Sequence, residues 1–212
     1  MPLKFKLFLA FALLLPAAHA EQRLLPSDDA PGQPAFLQFR ATLINAVVRR
    51  DTQFLLKIVD ENIRNSFGGD DGRAYFLAKW KPERPGSRLW PELAAVLKLG
   101  GCFSGNGNFE APYTFCKWPE AVDSFNHAAI ISNDVAVKVS PLASAKHLSR
   151  LSFSIVELAD VEDTSFGWTA IRVADKTVGY VEKRHIRSPI DYRAVFQQAD
   201  GRWQLVAFLA GD

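Results

Sequence analysis

The side chains with the widest chemical range in this sequence are Cys102 and Cys116 and the histidines His127, His147 and His185. A thiol beside an imidazole makes a nucleophile–base pair, and His127 is a base that could serve either cysteine. The two thiols can instead close on each other, since both bound one short stretch, CFSGNGNFEAPYTFC. An even cysteine count in an oxidising compartment favours that structural bridge. The loop it closes holds fifteen residues, for which chain entropy gives about 3 kcal/mol. We expect the bridge. No histidine stands at metal-ligand spacing from another histidine, a cysteine or a carboxylate, and neither H-E-x-x-H nor G-x-S-x-G occurs. The expectation is therefore a non-enzyme with no catalytic residue, metal or cofactor. Glu157, Asp160, Glu162 and Asp163 gather ahead of Trp168 and suit a cation or a basic peptide, although such runs are ordinarily solvated loop.

The compartment is written at the N-terminus. MPLKFKLFLAFALLLPAAHA begins with Lys4 and Lys6, continues with an apolar run from Leu7 to Leu15 too short to cross a bilayer, and ends in Ala18-His19-Ala20. Residues 1–20 are expected to be a signal peptide cut between Ala20 and Glu21. The mature protein is then periplasmic or secreted, without a stable membrane anchor. The chain carries 25 Lys+Arg and 23 Asp+Glu, and loss of Lys4 and Lys6 leaves 23 of each. A neutral protein has no long-range field to collect nucleic acid, and no such partner is expected.

The elements that would hold these residues fall into two rhythms. Residues 21–34 are rich in Pro, Asp and Gln and read as a flexible leader. Phe36, Phe39, Leu43 and Val47, with Leu37, Ile44 and Val48 beside them, then recur at helical spacing and leave Arg40, Arg49 and Arg50 outside. Asp51 suits the N-cap of a second helix carrying Phe54, Leu55, Ile58 and Val59. A short extended run and the turn GGDDG follow; the turn lacks the ladder of a calcium loop and the lysine of a phosphate loop. Asp70 or Asp71 is expected to cap a third helix with Phe76, Leu77 and Trp80, and a fourth runs over Leu89, Trp90, Leu93, Val96 and Leu97 to the stop at Gly100-Gly101. The aromatic residues Trp80, Trp90 and Trp118 are pocket candidates, but such residues are more often core.

From Ser132 the period becomes two. Val135, Val137 and Val139 alternate with polar neighbours, LSRLSFSIVELADV is a long strand-forming run, and two short strands flank the step Asp175-Lys176. Short strands at close spacing describe a small barrel. Two further strands, around Tyr192 to Gln197 and Trp203 to Leu209, are joined at Asp200-Gly201 and are too apolar on both faces to stand alone.

The run VAVKVSP at 135–141, Gly167-Trp168 with Ile171, Gly179-Tyr180-Val181 and Ile186 together resemble the bacterial SH3-like (SH3b) domain. That family favours Arg where Lys138 stands and Gly where Ser140 stands, and its middle glycine is replaced by the Ser152-Phe153-Ser154 region. The resemblance implies an SH3-like barrel over 132–188. Residues 35–126 weakly resemble an NTF2-like (SnoaL-like) α+β domain, which the hairpin at 190–212 would complete. The expected class is thus α+β: a helix-rich domain, a small all-β barrel and a C-terminal hairpin.

By resemblance, the protein is expected to be a non-catalytic component of the bacterial cell envelope that binds cell-wall glycan or peptide, or another envelope protein. Its candidate surface is Trp168 and Tyr180 with Glu157 and Asp160, and the two aromatic residues read equally well as filling of the barrel core. Two other readings accompany this one. A small molecule could sit in an N-domain pocket of Phe67, Trp80 and Trp90, or the chain could be a structural partner of an envelope protein.

Overall fold

The computed structural model describes residues 22–161, 167–173 and 176–211. The signal segment, the cleavage pair Ala20 and Glu21, the acidic residues Glu162 and Asp163 and the turn residue Asp175 lie outside the described residues. The chain combines helices with two β-sheets, as an α+β class requires.

Helix α1 (Pro34–Arg49) begins on a proline, whose missing N–H is no loss in a first turn, and ends where Arg50 turns left-handed at φ 54°. Its buried stripe is Phe36, Arg40, Leu43, Ala46 and Val47. Arg40 is therefore not on the outer face as its charge would suggest, whereas Leu37, Ile44 and Val48 are exposed. Asp51 caps α2 (Thr52–Ile58) by accepting from the Phe54 N–H at 2.9 Å. The chain passes directly into β1 (Val59–Arg64).

Helix α3 (Arg73–Trp80) is entered from Gly72 at φ 95°, with no side-chain cap. The expected aspartate cap is absent because Asp71 instead accepts from the Asn65 N–H at 3.0 Å, clamping the base of the glycine turn. Helix α4 (Leu89–Lys98) follows, and left-handed Gly100 (φ 67°) releases the chain from it. A side chain at Gly100 would strike the backbone of Ser27.

Strands β2 (Cys102–Phe103) and β3 (Phe109–Ala111) form a hairpin, and Cys116, at the end of α5 (Tyr113–Cys116), is disulfide-bonded to Cys102, the expected bridge, with Cα atoms 6.1 Å apart. The C-terminal hairpin is β11 (Arg193–Ala199) and β12 (Arg202–Leu209), with Asp200 and Gly201 both at positive φ between the paired Ala199 and Arg202. That is the primed turn whose twist matches its strands. The hairpin lies inside a five-stranded sheet of order β1-β12-β11-β3-β2, with β1 parallel to β12. Phe36 plugs its centre, 4.1 Å from the Phe109 ring and 4.8 Å from that of Trp203. Leu43, Leu55, Phe76, Leu93, Phe196, Leu205 and Phe208 complete the same core.

The second sheet has seven strands in the order β10-β4-β7-β8-β9-β5-β6. These are β4 (His127–Ile130), β5 (Val135–Lys138), β6 (His147–Leu151), β7 (Ile155–Leu158), β8 (Trp168–Arg172), β9 (Val178–Glu182) and β10 (Ile186–Arg187). It starts at His127, five residues before the change of rhythm at Ser132. Its inner face buries Ile130, Val135, Val137, Val156, Ile171 and Val181. Gly179 is buried there, and a Cβ on it would overlap Val137 Cγ1, so glycine lets β9 approach β5. Val139, expected to continue the buried alternation, lies past the end of β5 and is exposed.

The leader expected to be loose is instead a strap. Ile155 N–H donates to Gln22 O and Leu24 N–H to Phe153 O, both at 2.7 Å, so the first described residues lie along the second sheet. Leu24 is buried with Tyr113 and Ala129. Further on, Asp29 N–H reaches Gly101 O at 2.8 Å, Ala30 enters the first core, and Asp28 holds Arg40 through two bonds of 2.6 and 2.7 Å.

Candidate functional site

Strand register decides which expected site residues meet. Ala170 stands opposite Tyr180 and Trp168 opposite Glu182, so Trp168 and Tyr180 are diagonal neighbours on one face. That face is the outer one, because Ile171, three residues along from Trp168, and Val181, next to Tyr180, are on the opposite face and in the core. Both aromatic residues are half-buried, with one side left to solvent. Lys138 on β5 pairs with Tyr180, and Glu157 on β7 pairs with Arg172, which places both on the same outer face. Arg172 Nε bonds Glu157 Oε1 at 3.1 Å. Asp160 is exposed in the loop after β7, apart from this ladder.

The outer face is thus a shallow aromatic pair edged by a lysine and by an arginine–glutamate pair. Rings of this kind offer an apolar surface with polar rims, suited to sugar faces or extended peptides. The core positions of the sheet are aliphatic, so neither ring is needed to fill it.

The residues with chemical range are otherwise engaged. Cys102 and Cys116 are joined, which removes both thiols as nucleophiles. His127 Nδ1 lies 3.0 Å from the Asp123 carbonyl oxygen. The Asp123 carboxyl is held below its usual range, chiefly by the Phe125 N–H. His185 Nδ1 lies 3.1 Å from Ser132 Oγ, while its Nε2 accepts from Arg184 Nε at 3.1 Å. His147 is exposed on β6. Among the described residues no three of His, Cys, Asp and Glu gather as a metal set.

The three residues expected to share an N-domain pocket do not come together. Trp90 is buried and donates Nε1–H to Pro82 O at 3.0 Å. Phe67 is 48 % exposed, between the guanidinium groups of Arg64 and Arg193 at 5.5 and 5.2 Å. Trp80 lines a cavity of about 600 Å³ with Tyr192 and the loop after α3, and neither Phe67 nor Trp90 is among its lining residues. A second cavity of about 720 Å³ lies between α1, α2 and the tip of the C-terminal hairpin, against Phe39, Phe54 and Trp203. Neither Tyr192 nor Trp203 was among the expected site residues. Trp203 sits in β12 and Tyr192 immediately before β11, in apolar runs where sequence alone reads core, and their cavities arise from contacts between distant segments.

Compared with protein-family models, curated proteins and solved structures, the chain gives no match. Among the described residues no helix is long and apolar enough to cross a membrane. The intramolecular disulfide fits an oxidising, exported setting.

Proposed function

We propose that this protein is an exported, non-catalytic binding protein of the bacterial cell envelope, and that its seven-stranded sheet is an SH3-like module. The outer face of that sheet holds peptidoglycan or a peptide through Trp168 and Tyr180. The observation that carries the reading is the register: two half-exposed aromatic rings lie diagonally on one face, opposite a core already filled by aliphatic side chains. Lys138 and the Arg172–Glu157 pair supply hydrogen-bonding groups at its edge. Export, the disulfide and the neutral charge of the mature chain agree with work outside the cytoplasm on an uncharged or mixed-charge partner.

The test is co-sedimentation of the mature protein with purified peptidoglycan sacculi, comparing wild type with Trp168→Ala/Tyr180→Ala. Both side chains are half-exposed, so the double variant should keep its fold, which circular dichroism checks. Retention of wild type and its loss in the double variant support the proposal. Equal retention, or none of either protein, overturns it.

A further inference from the structure

The cavity beside Trp80 is lined by cations and aromatic rings. Lys79, Lys81, Arg84 and Arg88 line it together with Trp80, Tyr192 and the turn residues Pro85, Gly86 and Ser87. No carboxylate lines it. Among the described residues Arg88 is the one of the four with an acidic partner, Glu92 at 3.3 Å. Lys79 Nζ donates to Asn65 O at 3.4 Å and stands over the Trp80 and Tyr192 rings at 5.7 and 5.8 Å. Lys81 and Arg84 make no ion pair among the described residues. In a chain whose charges nearly balance, this concentrates positive potential at one concave spot.

The loop that presents these cations is already held in shape. Arg84 N–H bonds Lys81 O and Ser87 N–H bonds Arg84 O, each at 3.0 Å, giving two consecutive turns. Three anchors fix them from behind: Ser87 Oγ–H donates to Trp80 O at 2.6 Å, Arg50 to Pro85 O at 2.6 Å, and Trp90 Nε1–H to Pro82 O. Prolines at 82 and 85 stiffen the same loop. A loop so fixed loses little freedom when a ligand arrives. The wall is aromatic and rigid: Tyr192 stacks on Phe208 at 5.3 Å and meets Trp80 edge-on at 5.0 Å.

From this arrangement we infer a binding site for a small molecule that carries a doubly charged oxyanion, a phosphomonoester in class, on a flat apolar body. Lys81 and Arg84, the two cations without partners, match the two charges; Arg84 offers the forked donors that oxyanions accept. The ring or acyl part lies against Trp80 and Tyr192. This site is separate from the outer face of the seven-stranded sheet and does not depend on it.

Isothermal titration calorimetry at low salt tests it with three probes: phenyl phosphate, inorganic phosphate and phenol. Phenyl phosphate should saturate the wild-type protein, inorganic phosphate should bind more weakly by about tenfold, and phenol should give no heat. Arg84→Gln and Lys81→Gln, both at exposed positions, should each weaken phenyl phosphate by about tenfold or more, while Lys176→Gln, on the seven-stranded sheet's β8–β9 turn and not among the cavity's lining residues, leaves it unchanged. Unchanged melting temperatures certify that the variants are folded. No heat with phenyl phosphate overturns the inference. So does binding that survives both substitutions, or phenol binding as tightly as its phosphate.

Discussion

Replacing Asp28 by alanine tests the strap most directly. Asp28 binds Arg40 through both carboxylate oxygens, and the Arg40 side chain is 11 % exposed against 34 % for Asp28. Asp28 Oδ1 also accepts the Ala30 N–H at 3.3 Å, at the turn that carries the chain into the first core. Without the carboxylate, a guanidinium remains buried between α1 and the Phe109 ring, its centre 5.7 Å from that ring. Breaking a fully buried pair costs roughly 3–5 kcal/mol; because a third of Asp28 is open to water, we expect about 2–3 kcal/mol here. For a chain of this size that lowers the melting temperature by roughly 4–12 °C. Thermal unfolding followed by circular dichroism reads the shift directly. Asp28→Ala/Arg40→Leu should recover part of the loss, since it removes the stranded charge. An Asp28→Ala protein within about 0.5 kcal/mol of wild type would refute the strap's role, as would a double variant no more stable than the single one.

Two further outcomes follow from the packing. Gly179→Ala drives a methyl into Val137 Cγ1, with Leu148 Cδ2 3.2 Å away, and should lower stability by about 1–3 kcal/mol; a urea midpoint equal to wild type would show that β9 and β5 part freely. The Tyr113 phenol is buried with no hydrogen-bond partner among the described residues, and that burial pushes its pKa up to about 12 from 10.0. The unfolded chain therefore releases this proton first, so the stabilisation present below pH 10.0 declines as pH rises towards about 12. Tyr113→Phe should flatten that decline in alkaline unfolding curves, and an identical slope in both proteins would contradict it.

The parts of this fold that are legible in sequence are those fixed by neighbours in the chain. The Asp51 cap, the stop at Gly100 and the Asp200-Gly201 turn each depend on a few adjacent residues, and each stands where its local chemistry puts it. The cysteine pairing is similarly legible, because a loop of fifteen residues returns on itself readily. What could not be read depends on partners far away. Asp28 looks like a turn residue until Arg40 is placed beside it, and Asp71 looks like a helix cap until Asn65 takes its oxygen. The order of residues 22–30 is set by Phe153, Ile155 and Gly101, which the composition of the leader cannot reveal. The same holds for the candidate sites. The diagonal placement of Trp168 and Tyr180 is implicit in two short strands around one turn, whereas the cavity at Trp80 exists only because Tyr192 arrives from more than a hundred residues downstream.

The place of β12 sets the order in which this molecule can be assembled. It is the last strand in the chain, yet it lies between β1 and β11, and among the described residues it is the only strand to which β1 pairs. A chain emerging from its N-terminus therefore holds β1 without a neighbour until residues 202–209 are delivered. Pairings of such sequence separation form late and slowly. The five-stranded sheet is therefore completed only when its last hairpin arrives, whereas the seven-stranded sheet pairs entirely among strands that precede it.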